Sequence, residues 1–171
     1  IAGVEGKEAE QDAARKKLGE LMPKDWRVVL MLAGHAWGER RMDEMVTLAK
    51  RVVELNPNSG MAWNLVGYGN LQQGKPDDAV SAFRKYVEGA PTDPNAHDSL
   101  GDSLIRAGKL EEAETSFHKA LEVDPKYIDA WTGVALTRAL RSDWPKALEA
   151  MQQRVDTAPR EQDKPGALLE L

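Results

Sequence analysis

The chain has 171 residues, 42% hydrophobic and 30% charged, with 28 acidic against 23 basic side chains and a net charge of −5. A chain of this length buries about 70% of its unfolded surface without a covalent staple, and its apolar content excludes a disordered polar tract. The acidic balance argues against nucleic acid, which needs clustered Lys and Arg, and the lack of cysteine removes disulfides, thiolate chemistry and Cys-based zinc sites together.

No apolar run approaches the roughly 18 residues of a membrane span, so no membrane partner is expected. The chain begins at Ile1 without a Met or a signal-peptide core, which reads as a trimmed or mature piece. Five prolines (Pro23, Pro57, Pro91, Pro125 and Pro159) recur at one constant interval and divide the rest. A fixed period in this range marks a stack of small supersecondary units.

In chain order, residues 1–25 read as a partial unit, with 5–21 as the second helix of a pair whose first helix is missing. Residues 26–59 form a divergent unit in which Val29, Leu32, Ala33, Met45 and Ala49 fill the apolar columns. Residues 60–93 and 94–127 are the clearest units. Residues 128–161 match well in the first helix and more loosely in the second, where Arg154 takes a column held by Tyr86 and Ala120. Residues 162–171 read as the start of a truncated capping or further repeat helix.

Several columns share the register. Trp63, His97 and Trp131 form one; Gly67, Gly101 and Ala135 the next; then Gly74, Gly108 and Ser142; Ala79, Ala113 and Ala147; and Phe83, Phe117 and Met151. The small residues let two antiparallel helices approach closely, although Gly inside a helix costs about 1 kcal/mol against Ala. The aromatic residues plug the gap to the next unit. Gly74 and Gly108 suit a left-handed turn ending a first helix, and the closing Pro breaks the second. Asp93 before Pro94 reads as an N-cap followed by a first-turn proline.

Within one unit the order Trp63, Val66-Gly67, Ala79, Phe83, Pro91 resembles the tetratricopeptide repeat pattern of Trp, Leu-Gly, Ala, Phe and Pro. The resemblance covers the chain after residue 25, and weakly the part before. It implies an all-α, right-handed superhelical solenoid of antiparallel helix pairs, with first helices lining a concave ligand groove. The groove positions of that family fall here on Leu30, Trp37, Met61, Asn64, Tyr68, Leu71, Asp98, Asp102 and Asp129. One half of the groove is apolar and aromatic, with Asn64 placed to pair an extended backbone, and its middle is acidic. The expected partner is a protein or peptide with an apolar anchor and a basic residue. Members that clamp a carboxylate tail use Lys and Arg at set groove positions, and neither register here supplies them.

No catalytic, metal or cofactor site is expected. His97 occupies a packing column, His118 reads as a surface residue, and no paired-His, Ca²⁺-loop or phosphate-loop spacing occurs. Glu111–Glu112 and Asp77–Asp78 fall at the starts of second helices, where they favour the helix dipole. The functional expectation is a protein- or peptide-binding scaffold rather than an enzyme. The alternatives are an assembly element that self-associates through its open ends, or the regulatory domain of a larger enzyme.

Overall fold

The computed structural model describes residues 2–158, with side chains from residue 10 onward; the expected helix at 162–171, and Pro159, lie outside the described residues. Every described element is helical: α1 (Ala2–Leu21), α2 (Trp26–Gly38), α3 (Met42–Leu55), α4 (Gly60–Gln72), α5 (Pro76–Gly89), α6 (Pro94–Arg106), α7 (Leu110–Val123), α8 (Ile128–Leu140) and α9 (Trp144–Thr157). They fall into two compact units, Ile1–Ala90 and Pro91–Leu171. In the first, α2 packs on α3, α3 on α4 and α4 on α5; in the second, α6 packs on α7, α7 on α8 and α8 on α9.

First helices start and stop by a repeated device. Asp25 accepts from Arg27 N at 2.9 Å, Ser59 from Ala62 N at 3.4 Å and Asp93 from Asn95 N at 3.0 Å, each satisfying an orphan first-turn donor. Tyr127 holds the same place before α8 and makes no such cap. At the other end, Lys75 N donates to Asn70 O, Lys109 N to Leu104 O, Arg41 N to Ala36 O and Asp143 N to Arg138 O, all at 2.8–2.9 Å. The residue before each of these donors has positive φ: Arg40 (57°), Gly74 (69°), Gly108 (74°) and Ser142 (63°). This is the Schellman arrangement, in which one left-handed residue lets two amides return to the carbonyls of the last turn.

Close packing is set by aromatic rings against glycines. A Cβ on Gly67 would lie 2.6 Å from the Phe83 ring, and one on Gly101 2.6 Å from the Phe117 ring; one on Gly133 would strike Phe117 from the following helix. Phe83 and Phe117 are both 0% exposed. In α3 and α4 the same role falls to Val46 against Gly69. Around these contacts Ala33, Ala36, Met45, Ala49, Val66 and Ala82 form one core cluster of the first unit, with Trp63 packed at its edge. Small residues dominate the core, so the helix axes come close and each ring fills most of its gap.

The Trp63, His97 and Trp131 column does more than pack. Trp63 Nε1 donates to Pro57 O at 2.7 Å, and His97 Nε2 meets Pro91 O at 3.0 Å, each reaching back to the proline that closes the preceding repeat. His97 therefore carries its proton on Nε2 to repeat the indole bond. Trp131 Nε1 is buried and makes no hydrogen bond.

Two of the four left-handed residues have a Cβ, and the left-handed region costs an L-residue about 1–2 kcal/mol. Ser142→Gly is expected to raise the unfolding free energy by about 0.5–1 kcal/mol, and Gly108→Ala to lower it by a similar amount, measured by urea unfolding. Equal effects of the two changes would mean that the turn conformation carries no strain.

Candidate functional site

The sequence-predicted site residues divide between the two units. In the first, Trp37 ends α2 and is 40% exposed. Its ring meets Tyr68 of α4 with centroids 5.4 Å apart and planes tilted by 48°. Tyr68 in turn meets Phe83 edge-on at 5.3 Å and 82°. The three rings run from the open surface to a fully buried core position. The tilted and edge-on geometries are those favoured by ring quadrupoles. Gly34, one turn before Trp37, has no atom within 4 Å of where a Cβ would lie, so the surface beside the indole is open. Met61 is 54% exposed at the start of α4, and Leu71 is half-buried near its end.

Two expected groove residues are more enclosed than the others. Leu30 is half-buried and packs against the apolar clusters around Val29, Val52 and Ala62 and around Met45 and Leu65. Asn64 is only 9% exposed, and its Oδ1 is enclosed without a hydrogen-bond partner. The amide is therefore turned into the packing and does not present itself to an extended backbone. An unsatisfied buried carbonyl of this kind costs about 1–3 kcal/mol.

In the second unit, Asp98 and Asp102 lie one turn apart on α6, and Asp129 opens α8. Asp98 is half-buried, while Asp102 and Asp129 are exposed. Burial, followed by the charges of Asp102 and Asp129, pushes the Asp98 carboxyl from 3.8 up to about 7. Partial desolvation of its carboxyl, on a residue otherwise open to solvent, also raises Asp102, against a lowering by Arg106 and a further rise from Asp129. The three acids thus share one field with too little positive charge to balance it. A cation from outside would relieve it.

One interaction was not visible in the sequence. Glu114 stands on α7 in the column of Val46 and Val80, and two cations of the α8 end hold it: Arg138 Nε at 2.7 Å and Arg141 Nη1 at 3.1 Å. Glu114 and Arg138 are each less than one-fifth exposed, so this pair fixes α7 to α8 with little screening. Among the described residues no three His, Asp or Glu side chains gather as a metal site, and no helix is long and apolar enough to cross a membrane.

Stacked pairs of short antiparallel helices, closed by the same left-handed turn and interlocked by ring against glycine, define an α-helical repeat protein. Tetratricopeptide repeat models match residues 30–94 and 70–136, and the chain belongs to that family. No curated sequence matches it. Among solved structures, one of MamA protein is 19% identical with a TM-score of 0.79, covering 98% of this chain and 91% of that one. MamA from residue 41 onward, from Desulfovibrio magneticus RS-1, is 22% identical with a TM-score of 0.79, covering 88% and 84%. At these identities the likeness is one of fold. A mutant O-GlcNAc transferase from Thermobaculum terrenum is 26% identical with a TM-score of 0.61, covering 66% of this chain and 22% of that one.

The Asp98 shift makes stability depend on pH. Its folded pKa, about 7, lies above its ordinary 3.8, so the native state holds a proton that the unfolded chain has released. The group's stabilising contribution is full below 3.8 and is lost as pH rises through about 7. Asp98→Asn removes this term. Its Tm relative to the parent chain should rise between pH 4 and pH 8, as read by thermal melts across that range. A difference that stays constant with pH would show that Asp98 ionises freely in the folded chain.

Proposed function

We propose that this chain is a protein- or peptide-binding scaffold that uses the exposed faces of its first helices. The observation that carries the reading is the Trp37–Tyr68 pair, a half-open aromatic step beside the bare surface at Gly34. Large aromatic side chains with one open face and one rigid backing dominate binding energy at interfaces, because little side-chain entropy is lost when they are covered. The Asp98, Asp102 and Asp129 face supports the second half of the reading, a basic group on the partner. Ionised Asp98 is unfavourable in the free chain and favourable beside a Lys or Arg, so binding a cation there should release a proton near neutral pH. The partner is thus a polypeptide with an apolar anchor and a basic residue, and the role is recognition without chemistry on the ligand.

The regulatory alternative draws on a different observation. The stretch similar to this chain in the O-GlcNAc transferase occupies 22% of that protein, so repeats of this type also occur joined to an enzyme.

Selection from a random peptide display library on the whole chain tests the reading. Enriched peptides should pair an aromatic or large aliphatic residue with Lys or Arg. Trp37→Ala should weaken their binding by about tenfold or more with little change in Tm. Peptides without this pattern, or full affinity in the Trp37→Ala chain, would remove the aromatic step from the site.

A further inference from the structure

The two units differ in charge. Up to Ala90 the chain holds thirteen acidic and thirteen basic side chains; from Pro91 onward it holds fifteen acidic against ten basic, so the whole net charge of −5 falls in the second unit. Within that unit the first helices α6 and α8 adjoin. The Tyr127 hydroxyl, just before α8, donates to Asn95 Oδ1 of α6 at 3.3 Å, and the Asp129 charge acts on both Asp98 and Asp102. Arg106 offsets Asp102 in part, which leaves Asp98 and Asp129 to meet a cation from outside.

The same face continues into an uncovered apolar patch. Leu136 follows Asp129 by two helical turns, so the two share one side of α8 about 10 Å apart. Leu136 is 48% exposed, and Leu140, one turn further on, 53%. Ile105 of α6, which is half-buried, and Leu136 stand two repeats after Trp37 and Tyr68. The second unit thus holds an aliphatic pair at the positions where the first holds its aromatic step, and adds an acidic end to it.

The distance from acid to apolar patch selects the shape of the occupant. A polyproline II segment has three residues per turn and rises about 3.1 Å per residue, so side chains three apart share one side and lie about 9 Å apart. A pleated strand turns side chains three apart to opposite sides. A helix covers the span from Asp129 to Leu140, about 16 Å, only as a piece of about 11 residues, too short to be stable in isolation and therefore costly to order.

We propose that the α6–α8 face binds an extended, polyproline-II-like segment that carries Lys or Arg three residues from an aliphatic or aromatic side chain, with the cation at Asp98 and Asp129 and the apolar group on Leu136 and Leu140. The inference rests on the binding role proposed for the first helices and adds the partner's shape and spacing. Opposite charge steers the segment to the second unit, and covering the two leucines holds it there.

Capped peptides with one Arg and one Leu separated by one to four prolines, in either order, are titrated into the isotope-labelled whole chain and followed by NMR, which reads weak binding. The two-proline spacer should bind about fivefold or more tighter than one or three prolines, because only that spacing lets both groups engage at once, and it should shift the amides of Leu136 and Leu140. Leu136→Ala and Asp129→Asn, both at exposed positions, should each abolish the preference for that spacing, and Glu122→Gln, exposed on α7, should leave it intact. Equal affinity at every spacing would overturn the inference. So would binding that shifts the Trp37 indole resonance and leaves Leu136 unmoved, a result that keeps the scaffold role and confines it to the first unit. If no peptide of the series binds while display-selected peptides bind through Trp37, the inference falls and the scaffold role stands; failure of both sets removes the scaffold role as well.

Discussion

The fold rests on an aromatic ring that fills the space left by a missing side chain. Phe117 lies between Gly101 on its own first helix and Gly133 on the next, and Phe83 meets Gly67 in the same way. Each glycine gives up about 1 kcal/mol of helix propensity, and a fully buried Phe returns more than that. The two helices must then hold a fixed rotation and spacing, because no other approach places the ring over bare backbone. Where the ring is absent, Val46 against Gly69 keeps the principle with an aliphatic group.

That constraint, with the turns, fixes which side chains reach solvent. The four Schellman turns repeat one local geometry at the end of each first helix, which sets how the second helix departs from it. Tyr68 is an example. It follows directly after Gly67, and its ring leans on the Phe83 that Gly67 admits, which leaves its other side for Trp37. The exposed aromatic step is thus a by-product of core packing, and its rigidity comes from there. In the second unit the same geometry sets Asp98 and Asp102 of α6 beside Asp129 of α8, and burial, followed by the charges of those two neighbours, raises Asp98.

The repeat was legible in the sequence because the prolines and small residues serve backbone geometry, which tolerates few substitutes. The left-handed position was harder to read. Gly74 and Gly108 announce it and Ser142 follows by spacing, but Arg40 does not look like a turn residue and is held there by the two amides it lets return. The faces of individual helices were less legible. α2 is apolar almost all round, so periodicity does not say that Leu30 is half-buried against the core clusters while Trp37 is more open. Asn64 shows the opposite difficulty, since a polar side chain on a glycine-rich helix was expected outside and is enclosed. The Glu114–Arg138 pair was missed because a charged residue in an apolar column makes sense only once its partner on the neighbouring helix is placed.

In the proposed reading, binding runs through what the first helices display, and the ring-on-glycine interlock is what holds that display in place. A double-mutant cycle on Gly101 and Phe117, followed by urea unfolding, tests this most directly. Gly101→Ala should destabilise the parent chain by about 1–3 kcal/mol, because overpacking against the ring outweighs the better helix propensity of Ala. In the Phe117→Leu background the same change should be neutral or stabilising. If Gly101→Ala stabilises the parent chain as propensity alone dictates, the ring does not set the helix spacing, and the account of how these faces are held fails.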